Sequence, residues 1–174
     1  MGIEIAVCGM EELPRVAPDF GPTHAVTLLD PTNSRPPIAG LDEDRHLFVG
    51  VHDIPEPRPE HEHPRAHHVE ALLAFGEGLR PAVESSEVRL LIHCWAGVSR
   101  STAAAFALKC QLTGLAERDA LLTIHSVRRQ MWPNELIVAL ADDALGRRGR
   151  MRRALADWRR NQEMPAAYAV WLGR

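Results

Sequence analysis

The chain is 174 residues long, with 20 Lys+Arg against 23 Asp+Glu for a formal charge of −3; 45% is apolar and 25% charged. Such average usage excludes a disordered, collagenous or coiled-coil protein, and the length suffices for one buried core without a metal or disulfide staple. No apolar run approaches the ~20 residues that span a bilayer, and the one basic stretch lacks the interleaved aromatics of a nucleic-acid module.

The first residues, MGIEIAVCGMEELPR, carry no basic n-region or long apolar core, so no secretory leader is expected. Within them Ile3–Val7 reads as a short strand. HAVTLL (His24–Leu29) is a continuous apolar run that ends at Asp30-Pro31 and a Pro-rich loop through Gly40. HLFVGV (His46–Val51) is a third strand, broken by Asp53-Ile54-Pro55. Four prolines in the eleven residues Ile54–Pro64 then demand an extended loop. A helix follows over Arg65–Leu79, with Val69, Leu72, Leu73, Gly76 and Leu79 at helical spacing and Pro81 just beyond. VRLLI (Val88–Ile92) has the β-branched, apolar character of a buried central strand. Helices are predicted over Arg100–Thr113, stopping at Gly114, and over Glu117–Gln130, Asn134–Leu145 and Gly149–Arg160.

Strands alternating with helices predict an α/β fold, a central and mostly parallel sheet of four to five strands flanked by helices. In such folds a ligand sits at the carboxyl ends of the strands. The segment between Ile92 and Arg100 lies there, and it reads HCWAGVSRS. A strand ends, the chain turns and a helix starts at Arg100, so the amides of Trp95, Ala96, Gly97, Val98, Ser99 and Arg100 can point inward at an anion, with the helix dipole behind them. Gly97 supplies backbone freedom, and the planar fork of Arg100 matches two phosphate oxygens. Cys94 sits at the base of this cradle, in surroundings of the kind that lower a thiol's pKa from about 8.5 to roughly 3.5–7.5. One loop thus binds a dianion and aims a nucleophile at it. The plainer alternative is a buried structural Cys beside an Arg that caps a helix.

HCWAGVSRS resembles the signature of the cysteine-dependent protein tyrosine phosphatases, particularly the small dual-specificity-like members and their bacterial relatives. THAVTLLDP resembles the early strand of that fold, FVGVHDI the strand leading into the general-acid loop, and RRQMWPN the later Arg…Pro-Asn turn, covering about residues 23–145. The resemblance implies a metal-independent phosphate monoester hydrolase with no cofactor. Cys94 would be the nucleophile of a phosphocysteine intermediate and Arg100 the phosphate holder. Ser101 would ease departure of the sulfur, and His93 would steady the loop. Asp53 would be the general acid, although its spacing to Cys94 is longer than usual. Glu56, Glu60 and Glu62 are rivals on the same loop, and Asp30 and Asp42 are weaker candidates. Arg129 matches the Arg before the Pro-Asn turn and is a candidate second cation, whereas Asn134 reads first as a helix start.

The implied partners are a phosphorylated protein or a small phosphate ester, with phosphate or sulfate at the loop. No nucleic acid and no transmembrane segment are expected. The loop has no Lys, unlike phosphoinositide-directed relatives, which favours phosphoprotein; the short chain predicts a shallow pocket open to phosphotyrosine and to phosphoserine or phosphothreonine. The rival functions are a catalytically weak phosphate-binding module and a rhodanese-like sulfurtransferase.

Residues 1–146 are expected to form the phosphatase domain. Residues 147–174 hold eight Arg against two acids, predicting an Arg-rich helix and tail packed on the same domain with its arginines in solvent; acidic lipid or an acidic partner is the alternative, and the tail could instead meet a second copy as a homodimer. The cluster His61, His63, His67 and His68 lacks zinc-motif spacing and reads as a solvated, flexible loop. Three cysteines, Cys8, Cys94 and Cys110, form no disulfide framework and point to a reducing cytoplasm. Cys110, ten helical residues past Arg100 and so ~15 Å along the axis, is out of reach of Cys94.

Overall fold

The computed structural model describes residues 2–171. Its strands are β1 (Gly2–Gly9), β2 (His24–Leu29), β3 (His46–Gly50) and β4 (Glu87–Cys94), all parallel and ordered β1-β4-β2-β3. This is the α/β sheet that the alternation of elements predicts. β4 lies inside the sheet, and Leu90, Leu91 and Ile92 are wholly buried, as an apolar run covered on both faces requires.

One face is covered by α1 (Leu13–Phe20), which the sequence reading leaves as loop. Two prolines hide it. Pro14 falls in the first turn, where no hydrogen bond is lost, and Pro18 comes late in a helix of only eight residues. Leu13 and Ala17 bury against Cys8, Ala25 and Leu91.

The other face carries α2 (Ala66–Ser85), α3 (Arg100–Leu112), α4 (Glu117–Val127), α5 (Glu135–Ala144) and α6 (Arg150–Arg159). α2 runs through Pro81 instead of stopping before it. Pro81 and Glu77 are both exposed, so the carbonyl freed by the missing N–H can turn to water. α4 ends at Val127, three residues short of the expected boundary, where Arg128 leaves helical geometry. α3 is buried nearly all round, with Thr102, Ala103, Ala104, Ala105 and Ala107 allowing close approach by the sheet and its helical neighbours. That clamp fixes the helix start, and with it Arg100 and Ser101.

α6 sinks Met151, Leu155 and Trp158 into the main core. Its arginines are not simply solvated. Arg147 and Arg150 both bond the Glu117 carboxylate, Arg152 bonds Asp143, and Arg159 pairs with Glu135 and lies 4.6 Å over the Trp132 ring. Asp142 receives the amides of Gly149, Met151 and Arg152, pinning the N-terminus of α6. A final short helix, α7 (Ala166–Trp171), follows Pro165; residues 172–174 of the tail lie outside the described residues. Among the described residues, no helix is long and apolar enough to cross a membrane.

Candidate active site

The loop from Cys94 to Arg100 curls at the carboxyl end of β4. Its carbonyls face outward and are taken. The Met10 amide holds Trp95 O at 2.9 Å; Arg128 bonds Gly97 O at 2.9 Å and Ala96 O at 3.1 Å; and the Trp132 amide holds Val98 O at 2.7 Å. Among the described residues the amides of Trp95 to Ser99 donate to no acceptor, which leaves them for an anion. Gly97 has φ +69°, and a Cβ there would sit 2.5 Å from the Cys8 carbonyl carbon, so only glycine lets the loop lie on the end of β1.

Cys94 is 1% exposed at the base of this curl, its Sγ 3.1 Å from the Ser101 hydroxyl. Arg100 is equally enclosed. Its Nη1 donates to Asp30 Oδ1 at 2.7 Å and to Val51 O at 2.6 Å, whereas the buried Nε has no partner among the described residues. The Nε–Nη2 edge is therefore the one left for an oxyanion. Asp30, weighed in the sequence chiefly as a turn residue, orients the guanidinium from the end of β2.

Asp53 reaches the loop despite its longer spacing. It is buried, and its Oδ1 accepts from Ser99 Oγ at 2.6 Å and from Asn134 Nδ2 at 2.9 Å. Asn134 does two jobs, since its Oδ1 also caps α5 by accepting from the Ile137 amide at 3.0 Å. Asp30, Asp53, Trp95, Val98 and Arg100 line one cavity of about 500 Å³, walled further by Pro165, Ala167 and Tyr168. Trp95 stands at its rim, 62% exposed.

Arg129 is not brought in: it is exposed, while its neighbour Arg128 holds the loop and bonds Glu12 at 2.8 Å. That guanidinium keeps the Glu12 carboxyl below the usual carboxylate range. Nothing in RRQMWPN distinguishes the two arginines, because the outcome depends on where α4 ends. The rival acids lie elsewhere. Glu56 and Glu60 are exposed, Asp42 pairs with Arg45, and the Glu62 carboxylate faces Arg65, His67 and His68 while its backbone carbonyl accepts the His52 amide at 2.9 Å.

That Pro-rich loop is folded rather than loose, because the His52 ring also accepts the Glu62 amide at 3.2 Å. Glu62, His67 and His68 gather their polar atoms within 4.8 Å, a spacing open to a metal ion. His68 Nδ1, however, accepts the Arg65 amide at 3.1 Å, so the neutral ring keeps its proton on Nε2, the atom facing Glu62. His68 Nε2 then has no lone pair to offer a metal ion.

Behind Cys94, His93 and His46 bond a shared partner, Thr27 Oγ1, through their Nε2 atoms at 2.6 and 2.7 Å. Burial, then the neighbouring His46 ring, pushes His93 down to about 4; burial, then the Arg35 guanidinium, pushes His46 to about 4. Cys8 pairs in register with His93, and its thiol belongs to the α1 face of the sheet while Cys94 belongs to the α3 face. Burial, then Glu12, pushes the Cys8 thiol up to about 12.

The sequence matches no family model and no curated protein. Among solved structures, the chain is similar to human DUSP28 at TM-score 0.60 and 19% identity, covering 83% of this chain and 94% of that one. It is similar to Cydia pomonella PTP-2 phosphatase at 0.59 and 24% identity, covering 80% and 84%. It is also similar to the human tyrosine phosphatase-like serine/threonine/tyrosine-interacting protein at 0.57 and 20% identity, covering 81% and 87%. The fold is that of the dual-specificity and protein tyrosine phosphatases.

Proposed function

We propose that the protein hydrolyses phosphate monoesters, with phosphorylated protein as the substrate class, through a phosphocysteine intermediate. The observation that carries this reading is convergence: Arg100 with its free edge, the loop residues Trp95, Ala96 and Val98, and Asp53 line one cavity, and Cys94 is buried at the base of the same loop with its amides unclaimed. One of the similar structures is by name only phosphatase-like, so the likeness in fold does not decide activity. The residues at the loop support it.

The loop amides and Arg100 bind the phosphate dianion and gain strength as charge spreads over its equatorial oxygens. Cys94 Sγ forms a bond to phosphorus as the ester P–O bond breaks, and the Asp53 carboxyl gives its proton to the departing oxygen. Water then attacks the phosphocysteine. Asp53 takes a proton from that water, the S–P bond breaks, and the Ser101 hydroxyl stabilises the sulfur as it leaves. His93, held by Thr27, steadies the base of the loop. The amides and Arg100 supply the positive charge that a metal would otherwise provide. Phosphotyrosine is the principal substrate residue, with phosphoserine and phosphothreonine as further candidates. Three free cysteines fit a reducing, cytoplasmic setting.

Release of para-nitrophenol from its phosphate ester, measured with a chelator present, tests the reading. Turnover is expected with the chelator and abolished in Cys94→Ser, which still binds inorganic phosphate. A chelator-sensitive reaction, or an active Cys94→Ser enzyme, would overturn it.

A further inference from the structure

Tyr168, the only tyrosine in the chain, arrives at the site from an element far along the sequence. It is 6% exposed, and its hydroxyl lies 2.9 Å from Ser99 Oγ and 3.5 Å from Asp53 Oδ1. Ser99 Oγ donates to Asp53 Oδ1 at 2.6 Å, and Asn134 Nδ2 donates to the same oxygen. The hydroxyls thus form a directional chain in which Tyr168 donates to Ser99 and Ser99 to the carboxylate, each bond polarising the next. Burial, then the Asp53 charge, pushes the phenol above its ordinary value, so its proton stays in place as a donor. All of these donors reach Oδ1. Among the described residues Oδ2 receives none, and Asp53 lines the cavity that holds the phosphate loop.

We propose that Tyr168 is a positioning residue of the active site, fixing the Asp53 carboxyl through Ser99 so that Oδ2 is presented to the substrate's leaving oxygen. This rests on the acid role assigned to Asp53 above. The segment after α6 then completes the active site rather than decorating the surface. Its placement has a visible cause: Arg159, at the end of α6, bonds Pro133 O at 2.6 Å, beside Asn134, so the chain leaves α6 next to the Asp53 cluster.

In the transfer of phosphate to Cys94, a group that aligns the acid matters only when the leaving group needs a proton; hydrolysis of the phosphocysteine, with Asp53 as base, is common to every ester. Tyr168→Phe keeps the ring and removes the hydroxyl that faces Ser99 and Asp53. It should lower kcat/KM, which reports the steps up to loss of the leaving group, about tenfold for phenyl phosphate, and leave kcat/KM for the activated ester 2,4-dinitrophenyl phosphate within about twofold. Both esters are read on one preparation, so a change in the folded fraction cancels in their ratio. In Asp53→Asn, itself slowed on phenyl phosphate by about 10²–10⁴, Tyr168→Phe should add less than about twofold. Equal slowing of both esters, or a further tenfold loss in Asp53→Asn, would overturn the role of Tyr168 alone. An inactive wild type would remove the phosphatase reading and this role with it, whereas an Asp53→Asn enzyme as fast as wild type on phenyl phosphate would leave the phosphatase reading standing and take the acid role from Asp53, and the role of Tyr168 with it.

Discussion

The buried chain His46–Thr27–His93 makes the fold acid-sensitive in a calculable way. Both rings are held at about 4, whereas an unfolded histidine titrates near 6.5, so between those values the unfolded chain binds protons that the folded chain refuses. Their contribution to stability is intact above pH 6.5 and is lost as the pH falls towards 4. At 1.36 kcal/mol per pH unit, each ring removes about 2 kcal/mol by pH 5 and about 3 kcal/mol by pH 4. The pair together accounts for about 4 kcal/mol at pH 5, a large share of a typical 5–15 kcal/mol. His24, His68 and His125 are lowered too, so the wild-type slope alone does not isolate the pair. His46→Gln does, because the amide can still donate to Thr27 but does not titrate. Urea unfolding at pH 7 and pH 5 should show the pH-dependent loss shrinking by about 2 kcal/mol in the variant. Identical pH dependence in both proteins would refute the assignment.

Two other outcomes follow from the loop's supports. Arg128→Met removes the bonds to Gly97 O, Ala96 O and Glu12, so KM for aryl phosphate should rise at least tenfold and the melting temperature should fall; unchanged KM would mean the loop holds its curl without Arg128. Peroxide treatment should oxidise Cys94 without linking it to Cys8, since the two thiols lie on opposite faces of the sheet; a Cys8–Cys94 disulfide peptide in mass spectrometry would contradict the register.

Much of this site is legible in the sequence. β2, β3 and β4 announce themselves as apolar runs with turn residues behind them, and the spacing of Cys94 to Arg100 carries its own geometry. The parts that were hidden share a physical cause: each depends on where a chain segment lands, not on local pattern. Whether Arg128 or Arg129 faces the loop is decided by the residue at which α4 stops. Asp30 was legible as the end of a strand at the ligand edge of the sheet, yet its bond to Arg100 needed the tertiary fold. Thr27 and His46 look like ordinary strand residues until three adjacent strands bring them beside His93. Tyr168 offered no signal at all, because a lone tyrosine in AAYAVW is indistinguishable from a packing residue.

The charge asymmetry has an intramolecular explanation that bears on the candidate site. The acidic body and basic segment at residues 147–174 predict a helix packed on the domain with solvated arginines, with an acidic partner as the alternative, but Glu117, Glu135 and Asp143 take up Arg147, Arg150, Arg152 and Arg159 within the fold. Ion pairs at a surface stabilise little individually. The core contribution comes from Met151, Leu155 and Trp158. What the arginines add is direction. Two of them meet on Glu117, which is 9% exposed, and Arg159 lies over Trp132 and bonds Pro133 O, so the exit of α6 is tied to the same Trp-Pro-Asn turn whose Asn134 bonds Asp53. The basic segment therefore works as a locator, carrying Tyr168 to Asp53, the carboxyl proposed as the acid.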